Sequence, residues 1–561
     1  MALALAALAG SAMAALIPMT AADFWVAGTQ TGDVEEGTLL PATNCRACHG
    51  NFDPGRDPWS TWAGSLMGLA GRDPLFYAQL TAANQDVGEV GTFCLRCHVP
   101  LAVISGHAAD PTGAALTDDD RGGVDCHFCH SLVDPMYVAG TSPPEDEAVL
   151  AGLANPPAHV GNAMFVVDPE GRRRGPYSDA NPPHLALSSP FHRRAQLCGT
   201  CHDVGNLAVS RQPDGTYRYN AIGAPSPDPD PHGQFPLERT FTEWLLSSFA
   251  NGGVDLGGRF GGSRGPRVST CQDCHMPTHT GRGCFAGPER TDLASHEFAG
   301  AAVPVLDLIA AQLESDPNPP VDPKQLMLAR ERALSMLQRA ASLALFERDG
   351  LVVARLVNQT GHKLPTGHIE GRRMWLHVRF LDPDGEVLAE YGHYDAEQAE
   401  LDEETTTVFE MRVGLSEEAA AATGLPAGVT GHMALADSIV EDNRIPPRGF
   451  DPAAFAAAGA PAVGAAYAEG QFWHDSIFTP PPGAVRAECE VYYQSLPRRY
   501  VEALRDGNVT DDRGKELEEL WERTGRGAPL LMTAASAFMT GSLFSDGFES
   551  GTTYAWGDPQ P

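Results

Sequence analysis

Five short motifs dominate the chemistry that this sequence could carry out. Each has the form Cys-x-x-Cys-His, and together they use ten of the twelve cysteines. In such a motif the two thiols add to the two vinyl groups of a porphyrin, and the adjacent histidine ligates the iron as its proximal ligand. The motifs, numbered one to five in chain order, are Cys45, Cys48 and His49; Cys94, Cys97 and His98; Cys126, Cys129 and His130; Cys198, Cys201 and His202; and Cys271, Cys274 and His275. The sequence therefore predicts five covalently attached haem c groups.

Other uses of paired cysteines fit this pattern poorly. A structural zinc site needs two cysteine pairs to converge on one ion, and it gives no reason for a histidine after every pair. A disulfide between cysteines three positions apart is strained, which argues against five repeats of it.

The sixth position on each iron decides whether it carries electrons or binds a substrate. Three histidines are candidates for this distal position by their place in the chain. His192 lies six residues before Cys198, and a ligand just upstream of a haem motif usually serves a neighbouring haem. His184 approaches the same motif through a Pro-rich segment, with a surface loop residue as the alternative. His362 either reaches into the haem region or organises its own loop.

The charge of the chain restricts its partners. Its formal net charge is −33 over 561 residues. Such a field repels nucleic acid, so a nucleic-acid-binding protein is excluded. We expect redox partner proteins or an extracellular electron acceptor that is neutral, basic or mineral.

The N-terminal segment predicts export. Residues 1–22 are apolar and small, and contain alanine-rich cleavage options, as in the apolar region of a secretory signal peptide. An uncleaved anchor, which would attach the protein to a membrane, is the alternative. Export agrees with the cysteines, because haem c is attached outside the cytoplasm. We therefore expect a periplasmic, extracellular or cell-surface protein.

The rest of the chain changes character three times. Residues 23–300 hold every motif and are rich in Gly and Pro, which predicts a loop-rich, mainly helical multihaem cytochrome c domain. Residues 301–345 predict a helical linker, whose main helix begins at Pro323. Residues 346–530 show strand patterns and the turn Asp382-Pro383-Asp384-Gly385, which predict a β-sandwich-like domain with short helices. Residues 531–561 predict a flexible acidic tail. The fold class is thus multidomain.

Several longer strings resemble a family of secreted bacterial multihaem c-type cytochromes with a C-terminal β-domain. The resemblance covers about residues 25–525 and implies electron transfer in respiratory or extracellular chains. The strings are WAGSLMGLAGRDPLF (62–76), FCLRCHVP (93–100), GVDCHFCH (123–130), SSPFHRRAQLCGTCHDV (188–204), CQDCHMP (271–277), NQTGHKLPTG (358–367), DNRIPPRGF (442–450) and YYQSLPRRY (492–500).

The resemblance adds two distal candidates. His296, in LASHEFAG, resembles the His-x-Phe-x-Gly distal element of multihaem cytochromes. Met67 stands where related cytochromes often carry a distal histidine, after Trp-x-x-Ser-x. A thioether ligand would raise the potential of its haem, whereas the alternative is ordinary core packing. His107 and His279 are reserve candidates.

Two functions remain open on the sequence. The first is an electron carrier, either monomeric or as a subunit of an oligomeric or filamentous conduit. The second is a multihaem oxidoreductase acting on a small inorganic nitrogen or sulfur compound. Residues 23–300 contain no lysine and no variant motif, which disfavours a lysine-ligated catalytic haem. The last two cysteines, Cys284 and Cys489, could form a disulfide or remain separate thiols.

Overall fold

The computed structural model describes residues 14–539 of the chain. Its helices are α1 (Thr43–His49), α2 (Pro58–Ala63), α3 (Pro74–Asp86), α4 (Val90–His98), α5 (Pro100–Ile104), α6 (Cys126–His130), α7 (Pro144–Gly152), α8 (Gln196–Gly199), α9 (Thr240–Leu245), α10 (Cys271–His275), α11 (Val303–Leu313), α12 (Pro323–Arg339), α13 (Glu417–Thr423), α14 (Pro452–Ala457), α15 (Arg498–Gly507) and α16 (Arg513–Arg523). Short 3₁₀ helices span Ala21–Phe24, Ala70–Arg72, Pro190–Arg193, Pro231–Gly233 and Met433–Leu435.

The strands are short before the linker and longer after it. They are β1 (Leu132–Val133), β2 (Val166–Val167), β3 (Arg173–Gly175), β4 (Ala186–Ser188), β5 (Val204–Arg211), β6 (Tyr217–Tyr219), β7 (Gln234–Glu238), β8 (Val254–Asp255), β9 (Arg267–Val268), β10 (Thr278–Arg282), β11 (Glu289–Ala294), β12 (Ala341–Arg348), β13 (Leu351–Asn358), β14 (Arg373–Leu381), β15 (Val387–Tyr391), β16 (Tyr394–Asp395), β17 (Glu400–Leu401), β18 (Val408–Phe409), β19 (Met411–Leu415), β20 (Gly428–Val429), β21 (Ser438–Asp442), β22 (Trp473–Phe478), β23 (Arg486–Gln494) and β24 (Leu530–Phe538).

The first part of the chain, residues 23–300, is less helical than we predicted. Helices of a few turns alternate with two- and three-stranded ladders, such as β1–β2 and β6–β5–β7. Gly and Pro are frequent here, and both residues interrupt helices and confine strands to short segments. Long loops therefore connect small elements around a common centre.

Two antiparallel sheets form the main core of the second part, which also contains the smaller ladders β16–β17 and β20–β19–β21. One sheet has the order β12–β13–β22, and the other has the order β15–β14–β23–β24 with β18 also paired to β14. Alternate residues of β14, including Leu376, Val378 and Phe380, are buried in a core that also contains Val352 of β13 and Val491 of β23. This alternation is the pattern expected where each sheet turns one face to a shared core.

Helices join the two parts of the chain. Helix α12 is amphipathic, and its buried residues Leu326, Ala329 and Ala333 share a core with Trp62 of α2 and Leu517 of α16. Its N-terminus is capped by Asp322, whose carboxylate accepts a hydrogen bond from the Lys324 backbone N–H at 2.9 Å. The linker is therefore packed into the molecule on both sides.

Three predicted boundaries differ from the structure. Helix α12 ends at Arg339, and residues that we predicted to continue it form β12, because Ala341–Arg348 pairs in register with β13. Strand β24 includes residues 531–538, which we assigned to the tail. Ile17 bridges Val87, and Met19 is 4% exposed in the core, so a leader that extended to residue 22 would include residues of the folded body.

The remaining tail residues, 540–561, and the first thirteen residues of the predicted signal peptide lie outside the described residues. Within residues 14–539, every helix is too short or too polar to cross a bilayer.

Candidate functional site

One large cavity brings all five motifs together. It has a volume of about 1220 Å³, and every cysteine and histidine of the five motifs lines it. Apolar side chains such as Trp62, Leu66, Phe93 and Phe241 make up much of the remaining wall. Segments more than 200 residues apart in sequence thus face one apolar space, which suits a flat hydrophobic cofactor with a polar edge.

Local structure explains how each motif presents its three reactive side chains. Four of the five motifs lie within single helical segments, α1, α4, α6 and α10. In a helix, residues three and four positions apart lie on the same face, so both thiols and the imidazole point in one direction. Asp125 caps α6 by accepting the His127 backbone N–H at 2.8 Å, and Thr270 with Asp273 forms a capping box for α10.

The fourth motif is the exception. Helix α8 ends at Gly199, between the two cysteines of the motif. Cys201 and His202 lie in the following turn. The His202 backbone N–H still donates to the Cys198 carbonyl at 2.9 Å, so the motif keeps one helical turn.

Contacts between cysteines give the spatial order of the motifs. Cys45 of motif one lies close enough to Cys126 of motif three for each thiol to shift the pKa of the other, and the same holds for Cys97 of motif two and Cys201 of motif four. Cys271 of motif five likewise lies beside Cys198 of motif four, and this contact, together with burial, raises the pKa of the Cys198 thiol.

Motif three lies beside motif four as well. Burial raises the pKa of the Cys129 thiol to about 12, and Cys198 and Cys201 are close enough to add to this shift. Motif four therefore neighbours motifs two, three and five, whereas motif one neighbours motif three.

Histidines face three of the five proximal histidines at a consistent distance. The ring centroids are 6.4 Å apart for His49 and His184, 6.2 Å for His130 and His296, and 6.5 Å for His275 and His362. Two imidazoles that bind one metal ion from opposite sides, through bonds of about 2 Å, have ring centres about 6.3 Å apart. The three spacings thus fit bis-histidine ligation of an iron held between the rings.

His192 forms a second close contact with motif three. Its ring centroid lies 5.3 Å from that of His130 with an angle of 11° between the rings. Its Nε2 lies 3.1 Å from the Cys129 carbonyl, and its Nδ1 is buried without a hydrogen-bond partner. A buried nitrogen without a hydrogen-bond partner costs free energy, so a bound group that bonds this nitrogen would stabilise the site.

His362 is held by an extensive polar network. Asn358 donates to the His362 carbonyl at 2.7 Å, and the Nδ1 of His362 lies 2.9 Å from the Lys363 carbonyl, which leaves its Nε2 for the cavity. Burial lowers the pKa of His362 to about 4. The loop is therefore organised around His362, and the ring itself also lines the cavity.

Buried charges fix that loop to the first part of the chain. Lys363 Nζ lies 2.6 Å from Asp442, and Arg444 lies 2.7 Å from Asp442 and 3.1 Å from Glu243 of α9. All four side chains are at most 5% exposed. Glu243 also accepts a hydrogen bond from Thr366 at 2.7 Å, so the segment that carries His362 is connected to α9 at several points.

The second and fourth motifs lack such a facing imidazole among the ring contacts of residues 14–539. The ring of His98 is stacked on Phe76 with centroids 3.7 Å apart, and burial lowers its pKa to about 4. Nδ1 of His202 bonds Glu238 at 3.0 Å, and although burial lowers the pKa of His202, this carboxylate raises it to about 9.

The other predicted ligands are placed as follows. Met67 is half-buried in the cavity wall, beside Leu66. His107 is exposed and bonds Asp120 at 2.7 Å, and neither His107 nor His279 belongs to the cavity wall as described. His279 has a buried Nε2 without a hydrogen-bond partner.

Sequence reasoning missed a polar corner of the cavity that contains His368. The Nε2 of His368 lies 3.3 Å from the hydroxyl of Tyr500, which donates to Gln79 at 3.0 Å. Burial raises the pKa of Asp73 to about 6 and that of Glu370 to about 7 in the same wall. His368 is not among the ligands predicted from the sequence; its position six residues after His362, directly after the string NQTGHKLPTG, was the available signal.

The two remaining cysteines are separate thiols in the structure. Cys284 lies in the cavity wall, and Cys489 is fully buried in the core between the sheets. The alternative of a disulfide between them is therefore wrong for this structure.

Comparisons with known proteins return one structure. No family model matches the chain, and no curated protein matches it. The structure of a penta-heme cytochrome c552 from Thermochromatium tepidum is similar over 90% of this chain and 99% of that chain, at 18% sequence identity and a TM-score of 0.46. A similarity this low supports no argument by itself, so the case for function depends on the residues of the cavity.

Proposed function

We propose that this protein is a pentahaem c-type cytochrome that transfers electrons through five covalently bound haem c groups. One observation carries the proposal: five Cys-x-x-Cys-His motifs from distant parts of the chain converge on one apolar cavity, in which other histidines face three of the motif histidines at the spacing of axial ligand pairs. Bound haem c supplies one-electron redox chemistry at its iron. The thiols fix the cofactor, and the paired imidazoles hold and orient it.

The ligand assignments follow from the ring distances. We assign His184 to motif one, His296 to motif three and His362 to motif five as distal ligands. His368 and Met67 also line the cavity and are the remaining candidates for motifs two and four. His192, whose ring lies 5.3 Å from that of His130, is an alternative to His296 at motif three.

The contacts between motifs support a branched route for electrons. Motif four adjoins motifs two, three and five, and motif one extends the branch that passes through motif three. Such a layout gives three ends, at motifs one, two and five. A carrier of this kind could receive electrons at one end and deliver them at another.

The setting of this activity is also part of the proposal. The attachment chemistry requires export, which supports a periplasmic, extracellular or cell-surface location. The net charge of −33 supports a neutral or basic redox protein, or a mineral surface, as the partner. Oligomeric or filamentous assembly would be compatible with the three ends.

A second candidate function has its own supporting observation. The polar corner formed by Asp73, His368, Glu370 and Tyr500 contains buried acids with raised pKa values, which are the kind of groups that supply protons in active sites. Burial lowers the pKa of His368, and His98 of motif two is close enough to add to this shift, so the polar corner adjoins that motif. It would suit reduction or oxidation of a small inorganic nitrogen or sulfur compound at motif two.

Two measurements on the purified protein test these proposals. Intact mass after production with a c-type maturation system should exceed the processed chain by five haem masses, and a pyridine-haemochrome assay should give the same count. Four or fewer haems under full maturation would contradict the pentahaem proposal.

Ligand binding distinguishes the two functions. An electron carrier should show low-spin ferric spectra and slow binding of carbon monoxide or cyanide. Rapid binding at one haem per molecule would favour the oxidoreductase if Tyr500→Phe or Glu370→Gln abolishes it.

A further inference from the structure

A second cluster of metal-binding side chains lies on the β-sheet surface, apart from the cavity. His377 is in the middle of β14, Glu390 is near the end of the paired strand β15, and His393 follows two residues after that strand. Successive residues of a strand point to opposite faces of the sheet, so every second residue shares a face. His377 and Arg379 therefore project outward, whereas Leu376 and Val378 point into the core.

The two imidazoles converge on one oxygen of the Glu390 carboxylate. Glu390 Oε1 lies 2.7 Å from His377 Nε2 and 3.2 Å from His393 Nδ1. The three ligand atoms all lie within 4.8 Å of one another. Tetrahedral sites with bonds of about 2 Å place neighbouring ligand atoms about 3.3 Å apart, so small side-chain rotations would bring all three onto one ion.

A second carboxylate orients His377. Glu490, directly opposite His377 on β23, lies 3.3 Å from His377 Nδ1, and the Tyr492 hydroxyl donates to the same carboxylate oxygen at 3.1 Å. Metal-binding histidines typically donate their other ring N–H to a carboxylate, which fixes the tautomer and strengthens the metal-binding nitrogen. The arrangement at His377 has this form.

The surrounding charges favour a cation. Glu488, on the same sheet, is paired with Arg379 at 2.9 Å and with Arg486 at 2.8 Å. The ion pairs of the described residues give Glu390 and Glu490 only histidines as partners. When the imidazoles are neutral, the cluster thus contains two carboxylate charges that a divalent ion would balance.

We propose that His377, Glu390 and His393 form a surface site for a divalent transition-metal ion of the Zn²⁺ class. Two imidazoles and one carboxylate are typical ligands of Zn²⁺, whereas Ca²⁺ and Mg²⁺ prefer oxygen ligands alone. The side chain of His393 is 59% exposed and that of Glu390 is 36% exposed, so solvent can supply the remaining ligand. The site shares no residue with the haem motifs, and it would add a second kind of metal ion to the proposed haem iron.

Calorimetric titration of the tag-free, haem-loaded protein with ZnCl₂ at pH 7.5 tests the site. We expect one equivalent to bind, and His393→Ala or Glu390→Gln to weaken that binding by more than about tenfold. Zinc X-ray absorption should show two imidazole nitrogens and at least one oxygen at about 2.0–2.1 Å. Binding should weaken at pH 5.5, because protonated imidazole cannot ligate.

The matched control is His159→Ala, which removes another exposed histidine paired with a carboxylate, Asp230 at 3.6 Å. This variant should bind Zn²⁺ as the unchanged protein does. Glu490→Gln should give an intermediate loss, because it disturbs only the orientation of His377. Unchanged affinity in both His393→Ala and Glu390→Gln, or no one-equivalent phase in the unchanged protein, would overturn the proposal. Identical haem spectra in all variants would show that any loss is local to the sheet surface.

Discussion

At the scale of residues, the histidines of this protein perform distinct tasks that their neighbours determine. His184, His296 and His362 each face a proximal histidine at 6.2 to 6.5 Å, which suits axial ligation. His107, in contrast, is exposed and paired with Asp120, and His159 is paired with Asp230. The same side chain thus lies in a facing pair of imidazoles or in an exposed ion pair, according to its partners.

His362→Met tests one ligand assignment. A thioether donates poorly to ferric iron and favours the ferrous state, so the variant should raise the potential of one haem and leave the other four unchanged. Redox titration followed in the visible spectrum measures this shift. His159→Met, which adds a methionine at an exposed position, serves as the control. Five unchanged potentials in His362→Met would remove His362 from the ligand set.

At the scale of elements, buried charge holds the loop of His362 in the second part of the chain against α9 in the first part. Asp442, at the end of β21, pairs with Lys363 and Arg444, and Arg444 reaches Glu243 of α9. Burial lowers the pKa of Lys363, whereas the paired charges of Asp442 and Glu243 oppose that shift. Such a network is costly to desolvate, but removal of one member leaves an uncompensated buried charge. The network therefore fixes where the loop of His362 lies.

Asp442→Asn should destabilise the protein strongly. It leaves Lys363 and Arg444 buried without their shared carboxylate, which typically costs about 3–5 kcal/mol. Denaturant unfolding followed by circular dichroism measures the loss. Asp512→Asn, which removes the exposed partner of Lys515, should change stability very little. Equal effects of the two substitutions would show that the buried network contributes no more than a surface pair.

At the scale of the whole molecule, the cavity of about 1220 Å³ takes the place of a conventional core in the first part of the chain. Hydrophobic clusters surround it, and several include motif cysteines, for example Cys97 and Cys201 together with Phe128 and Phe191. Apolar surface that faces such a cavity is buried only when the cofactor fills it. In the proposed pentahaem protein, the fold and cofactor attachment would therefore be coupled.

Production without a c-type maturation system should leave the first part of the chain without native packing. Near-UV circular dichroism should lose its fine structure, and limited proteolysis should cleave within residues 23–300 before it cleaves the sheets. The cause is the loss of the apolar contacts that the attached cofactors provide. A haem-free chain that resists protease as well as the mature protein does would contradict this expectation.

The sequence alone determined much of the local structure. The strand patterns predicted within residues 346–530 are confirmed by β13, β14 and β23, because alternating β-branched and apolar residues mark a strand with one buried face. The turn from Asp382 to Gly385 is confirmed by the Gly385 N–H, which donates to the Asp382 carbonyl at 3.1 Å. The fixed spacing of each Cys-x-x-Cys-His motif likewise predicts its chemistry without any fold, because the two thiols and the imidazole lie within about one helical turn.

Only the tertiary structure decided which distant residues meet. His275 and His362 are 87 positions apart, and nothing in their local sequence relates one to the other. Long-range contacts depend on packing of the whole chain, so pattern reasoning offered His107 as a reserve ligand and passed over His368. The cluster of His377, Glu390 and His393 was missed for the same reason: strand pairing brings the two histidines to one carboxylate, and register is a property of the folded sheet.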